Sequence, residues 1–242
     1  MKAGSRLEEL RRLLPMVYGA LEDAFELGGC VVCQALRKVE QRSLFSFLYE
    51  GMMGADARQK FVEGGGFCPR HFRLAVSMGK GSGYVGTFSI AALCQPLITS
   101  TDEMLRTSAQ RQPLSRAMRK KRAAPGVSPG ENCVFCREGR DREQDLIGAL
   151  ETLREDRDAA LLLKRNGLCR RHSQSAMDTW KQVDARKWLA EAIHRRTAEL
   201  QKDLGEFLGK HDYRRRSEPP GREADVVGRA MEFLLGIESE AV

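Results

Sequence analysis

Residues 30–71 read CVVCQALRKVEQRSLFSFLYEGMMGADARQKFVEGGGFCPRH, and residues 133–172 read CVFCREGRDREQDLIGALETLREDRDAALLLKRNGLCRRH. Each stretch opens on a Cys-x2-Cys pair and closes on a Gly-[Phe/Leu]-Cys-x2-His pair. The first supplies Cys30, Cys33, Cys68 and His71; the second supplies Cys133, Cys136, Cys169 and His172. The cysteine pairs are offset by 103 residues and the Cys/His pairs by 101. Between them Arg37, Glu40, Gln41, Leu44 and Phe47 align with Arg140, Glu143, Gln144, Ile147 and Leu150. Eight potential metal ligands in the same order at nearly the same spacing define an internal repeat.

The residues between the ligands read as a helical hairpin. Leu36, Val39, Leu44, Phe47 and Leu48 recur at a helical period, as do Leu146, Ile147, Leu150 and Leu153. A break follows at residues 51–54 or 154–156, then a shorter helix stopped by glycine at residues 64–66 or 167. Each Cys/His pair precedes a further helix and then a longer one, at about residues 84–108 and 179–210. The segment 6–27 is amphipathic, with Pro15 expected to break or kink it. No stretch alternates like a strand. The fold class is all-α: tandem helical repeats packed pseudo-symmetrically, each stapled by a Cys3His metal site. The expected organisation is an N-terminal amphipathic helix (1–29), repeat 1 (30–109), a basic linker punctuated by Pro and Gly (110–131), repeat 2 (132–212) and a C-terminal loop with a short helix (213–242).

Two thiolates two residues apart chelate one ion, and a helix N-terminus favours their negative charge. A Cys-x2-His pair supplies the other half of a closed tetrahedral site, the usual structural zinc arrangement. Two ions per chain follow. A helix up and a helix back would return Cys68 and His71 to the level of Cys30 and Cys33, so each quartet is expected within its own repeat. A crossed arrangement, with Cys30 and Cys33 meeting Cys169 and His172, is the alternative. Zinc is the expected metal, and an iron–sulfur cluster is its competitor on thiolate-rich ligands. Glu40 and Glu143 each lie seven residues past a cysteine, on the same helix face, where each would accept the free N–H of a ligating imidazole or form an ordinary ion pair. Arg70 and Arg171, beside the histidines, would offset the thiolate charge. Cys94 reads as a small core residue, His194 and His211 as surface groups, and Gly79–Gly83 as a flexible turn, since a phosphate-loop spacing is absent.

The 242 residues carry 40 Lys+Arg against 33 Asp+Glu, a net charge of +7. All of that surplus resides between Met104 and Gly130, where Arg106, Arg111, Arg116, Arg119, Lys120, Lys121 and Arg122 meet no acidic residue. Such a segment suits phosphates or an acidic protein partner, with Arg119, Lys120, Lys121 and Arg122 as its centre. It has no aromatic residue to stack bases, which argues against sequence reading. Seven cysteines, an odd number, mostly paired at ligand spacing suggest a reducing compartment. With no leader-like or spanning segment in view, the expectation is a cytoplasmic protein that does not enter the membrane.

The repeated C-x2-C…G-[FL]-C-x2-H pattern, with Lys210-His-Asp-Tyr-Arg214 and Glu218-Pro…Gly221-Arg-Glu223-Ala-Asp225, resembles a family of uncharacterised prokaryotic proteins classed as a domain of unknown function. The resemblance spans about residues 30–236 and implies a helical metal-binding protein, with no activity attached. Three functions compete. The first is a non-enzymatic zinc adaptor or nucleic-acid-associated module. The second is an iron–sulfur or redox-responsive thiolate protein. The third is an enzyme sited between the repeats, drawing on Glu40, Glu143, His211 and Asp212. No nucleophile–base set is visible, so the reading leans away from catalysis and names no substrate.

Overall fold

The computed structural model describes residues 12, 15–49, 54–81, 84–109, 133–211 and 218–236. Among these the fold is all-α, with no strand: α1 (Pro15–Leu27), α2 (Val31–Tyr49), α3 (Ala55–Glu63), α4 (Pro69–Gly81), α5 (Tyr84–Ala109), α6 (Val134–Leu153), α7 (Arg157–Asn166), α8 (Arg170–Thr179), α9 (Val183–Lys210), a 3-10 turn (Arg222–Asp225) and α10 (Val226–Leu235). The whole basic linker (110–131), with Arg119, Lys120, Lys121 and Arg122, lies outside the described residues. So do Asp212 and most of the chain before Pro15.

The chain packs as two compact units that cut across the repeats. One takes the described residues of Met1–Val39 and Asp141–Ser239, the other those of Glu40–Arg140. Each sequence repeat, residues 30–109 and 132–212, therefore contributes to both units. Helix lengths give the reason. At ~1.5 Å per residue, the 19 residues of α2 run about 28 Å and the 9 of α3 only about 14 Å. The same imbalance holds for α6, with 20 residues, and α7, with 10. A return helix half as long cannot bring the Cys/His pair back to the Cys-x2-Cys pair. It stops beside the middle of the long helix.

In the first unit, Val17, Ala20, Leu21 and Ala24 of α1 bury one face at i, i+3, i+4, i+7. They join Val31, Val32 and Ala35 of α2, Leu146, Ile147, Leu150 and Leu153 of α6, and Leu163, Ala176 and Leu189. Trp180, 1% exposed, sits in this core. Its indole Nε1–H donates to the Ile147 carbonyl at 2.8 Å, which satisfies the one polar atom a buried tryptophan carries. Helix α7 starts at Asp156, whose carboxylate accepts from the N–H groups of Asp158 and Ala159 at 3.0 and 2.9 Å.

The second unit is centred on Leu44, Leu48, Phe61, Ala75, Leu93 and Phe135. Phe47, Phe61, Phe67 and Phe135 form a ring cluster with centroids 4.6–5.6 Å apart between successive members. Gly79 and Gly81 lie within a helix rather than in the flexible turn expected there, and residues 82–83 lie outside the described residues. Helix α4 continues to Gly81, and a Cβ on Gly86 would stand 2.5 Å from the Gly79 Cα, so the missing side chains let α4 and α5 touch backbone to backbone. Cys94 is half-buried on α5. No helix of the described residues is long and apolar enough to cross a membrane.

Candidate metal centres

The eight ligand candidates converge as two quartets, Cys30/Cys33/Cys169/His172 in the first unit and Cys68/His71/Cys133/Cys136 in the second. Each quartet takes its Cys-x2-Cys from one repeat and its Cys-x2-His from the other. This corrects the expectation that each repeat closes its own site, and it follows from the short return helices.

All four pairs sit at helix N-termini. Cys30, Cys68, Cys133 and Cys169 stand immediately before α2, α4, α6 and α8, and Cys33, His71, Cys136 and His172 occupy the first turns. Each centre thus collects two helix N-termini, whose partial positive charge and free N–H groups favour thiolates. The His71 N–H lies 3.4 Å from Cys68 Sγ.

A single tetrahedral ion fixes the edges of its ligand cage. Metal–sulfur bonds of ~2.3 Å and metal–nitrogen bonds of ~2.0–2.1 Å imply S···S edges near about 3.8 Å and S···N edges near about 3.6 Å. In the first centre His172 Nδ1 lies 3.3, 3.3 and 3.2 Å from the Sγ atoms of Cys30, Cys33 and Cys169, and Cys33 Sγ is 3.9 Å from Cys169 Sγ. In the second, His71 Nδ1 lies 3.0, 3.5 and 3.4 Å from Cys68, Cys133 and Cys136, and Cys68 Sγ is 3.6 Å from Cys136 Sγ. The ligand atoms of each quartet all lie within 4.8 Å of one another. The donor set and its edges fit one ion.

Both imidazoles turn Nδ1 to the sulfurs and Nε2 to a carboxylate. His71 Nε2 is 2.5 Å from Glu40 Oε1, and His172 Nε2 is 3.2 Å from Glu143 Oε1. The approach falls short of straight hydrogen-bond geometry, so the contact is one of charge and position. Glu40 is held from its other oxygen by Arg70 at 2.6 Å, and Glu143 by Arg171. The glutamates therefore stand against imidazole and guanidinium at once. The arginines reach the centres through the carboxylates.

Without a metal the quartets are ionised unevenly. Burial, then the neighbouring Cys169 and Cys33, pushes the Cys30 thiol well up. Contacts from Cys30 and Cys33 hold Cys169 far below the usual thiol range. In the second centre burial raises Cys133, but His71 and the backbone N–H groups of Cys68 and Cys136 outweigh it and bring it down to about 6. Burial and the adjacent sulfurs of Cys68 and Cys133 push Cys136 up to about 12. Burial opposes the charged rings, yet the thiolates and glutamates prevail and lift His71 to about 10 and His172 to about 11. Adjacent thiolates repel one another, and a divalent ion joining them would offset that repulsion.

One neighbour of the first centre escaped sequence reasoning. Gly236 closes α10 with φ +82° and ψ −179°, and a Cβ there would stand 3.0 Å from Cys33 Sγ and 3.5 Å from Cys169 Sγ. A glycine after a helix is an ordinary stop signal, and nothing in its spacing from the cysteines marks this approach. Of the residues named for an enzymatic site, Glu40 and Glu143 are engaged as described. The exposed His211 places Nδ1 2.8 Å from the Phe207 carbonyl, and Asp212 lies outside the described residues. His194 is exposed on α9.

The fold and its sites define an all-helical protein with two Cys3His clusters suited to metal. The family model described as "Family of unknown function (DUF6062)" matches residues 19–241, and the chain belongs to that family. It is 23% identical over 193 residues to an uncharacterized 23.9 kDa protein from the xynA 3′ region of Caldicellulosiruptor sp. (strain Rt8B.4), covering 78% of this chain and 86% of the relative. No solved structure matches.

Proposed function

We propose that the protein is a non-enzymatic, zinc-stapled helical module holding two structural ions. The observation that carries this reading is the pair of closed quartets: four ligand atoms within 4.8 Å of one another in each, with every ligand at a helix N-terminus. Four protein ligands complete a zinc tetrahedron and leave no position for water or substrate. A cluster of several irons spreads its cysteines over different metal atoms, so cages sized for one ion favour zinc over the iron–sulfur reading. Each ion would tie segments far apart in sequence, supplying cohesion that short helices lack. Anaerobic purification followed by elemental analysis and an absorption spectrum tests this. Two zinc ions per chain in a colourless protein is the expected result, and a brown protein containing iron would overturn it.

We further propose that the work of this module is to engage a partner, with the cationic stretch around Arg119, Lys120, Lys121 and Arg122 contributing a salt-sensitive, sequence-indifferent contact to phosphates. Its support is a charge surplus of +7 confined to one segment free of acids. A helical adaptor binding another protein is the second reading. Titration with a duplex of arbitrary sequence at several salt concentrations separates the two.

A further inference from the structure

A cationic cleft lies in the first unit, formed by the end of α7, the middle of α9, the 3-10 turn and α10. Its volume is about 210 Å³, and Lys164, Arg165, Arg195, Arg196, Arg222 and Arg229 line it with a single carboxylate, Glu199. That is room for several waters, a space on the scale of one or two phosphate groups.

Three of the guanidiniums are fixed in place. Arg229 bridges Asp203 and Asp225 at 2.9 and 2.8 Å and donates to the Arg222 carbonyl at 2.7 Å. Arg222 meets Glu199 at 2.9 Å and Asp203 at 3.4 Å. Arg196 donates to the Asn166 carbonyl and lies over the Phe233 ring at 5.8 Å. Lys164 rests on the Trp188 ring at 5.5 Å. Arg165 and Arg195 are exposed at the rim, and among the described residues neither meets a carboxylate.

Six cations therefore gather where Glu199, Asp203 and Asp225 pair with only two of them, Arg222 and Arg229. Holding that surplus in one concavity costs repulsion, and an anion relieves it. Planar, always-charged arginine forks match the oxygens of a phosphate group better than those of a compact monovalent ion. We propose that this cleft binds a phosphate-bearing ligand through two neighbouring phosphate groups, either the diphosphate of a small molecule or adjacent phosphates of a nucleic-acid strand. The inference is independent of the metal assignment and of the linker.

The test is calorimetric titration of the full-length, metal-loaded chain at low salt. One arm uses inorganic pyrophosphate and the other a short single-stranded oligonucleotide. The variants are Arg165→Ala and Arg195→Ala, both exposed and without a carboxylate partner among the described residues, so folding is retained. Lys187→Ala, exposed on α9 outside the cleft, is the control. Saturable binding of either probe, weakened about tenfold or more by each arginine variant and unchanged in the control, supports the site. An oligonucleotide that competes with pyrophosphate assigns the phosphates to nucleic acid; pyrophosphate binding alone assigns them to a small molecule. No saturable binding of either probe overturns the proposal, as does binding that the arginine variants leave intact or that Lys187→Ala weakens equally.

Discussion

Replacing Gly236 by alanine tests the structure at a point where backbone geometry and metal chemistry meet. The residue holds φ +82° and ψ −179°, a region essentially reserved for glycine, where another residue costs about 1–3 kcal/mol. The new Cβ would also stand 3.0 Å from Cys33 Sγ. A free thiol would swing aside, but a sulfur bound to a metal moves only by stretching its bond. The backbone strain alone corresponds to a melting temperature lower by roughly 3–10 °C at this chain length. The second effect is selective: the Cys30/Cys33/Cys169/His172 centre should yield its ion to a chelator sooner, while the other centre keeps wild-type resistance. Gly228→Ala is the matched control, since it lies inside α10 with nothing within 4 Å of the added carbon. It should stabilise by about 0.5–1 kcal/mol through helix propensity. The assay is a chelator-competition time course with a colorimetric zinc indicator, alongside thermal melts by circular dichroism. A Gly236→Ala protein that keeps wild-type melting and releases both ions at the wild-type rates would refute the placement of α10 against this centre.

Glu40→Gln and Glu143→Gln should each weaken metal affinity at their own centre by roughly 10- to 100-fold with helicity retained, measured by chelator competition. Cys68→Ser should remove one ion and loosen the second unit, a loss visible as one zinc per chain and an earlier thermal transition. The metal-free chain should show a pH window. Cys133, lowered from 9.0 to about 6, stabilises above 9 and loses that contribution as pH falls through 6. His71, raised from 6.5 to about 10, stabilises below 6.5 and loses that contribution as pH rises through 10. Cys136, raised from 9.0 to about 12, adds to the loss above 9. Melts of chelator-treated protein should therefore be highest between about pH 6.5 and 9, and a melting temperature that climbs steadily past pH 10 would contradict the ionisation pattern. Replacing Arg119, Lys120, Lys121 and Arg122 together with alanine should flatten the log-affinity against log-salt slope for duplex DNA by up to about 3.6, at ~0.9 per contact, without loss of metal.

The candidate ligands and their helical setting were legible because metal chemistry imposes local spacing. Cys-x2-Cys and Cys-x2-His each fit one helix N-terminus, and the structure puts all four pairs there. Glu40 and Glu143 were legible for a related reason. Seven residues is two helical turns, and each carboxylate meets the imidazole that the short return helix delivers beside it. Which pairs share an ion was not decided by the spacing. The 34 residues between Cys33 and Cys68 suggest one helix out and one helix back, a pattern that by itself leaves their relative lengths open. A 19-residue helix answered by a 9-residue helix stops halfway, and the arithmetic needs only where each helix starts and stops. The approach of Gly236 to the thiolates and the gathering of six cations from three helices and a turn are tertiary facts with no local signature.

Crossed pairing of the ligand pairs makes a distinct forecast for metal stoichiometry in double variants. Cys30→Ser with Cys169→Ser removes two ligands of one centre, so the chain should retain one zinc. Cys30→Ser with Cys68→Ser removes one ligand from each centre, and the chain should retain none under mild chelator challenge. If each repeat closed its own site, the two outcomes would exchange: Cys30→Ser with Cys68→Ser would keep one zinc and Cys30→Ser with Cys169→Ser would keep none.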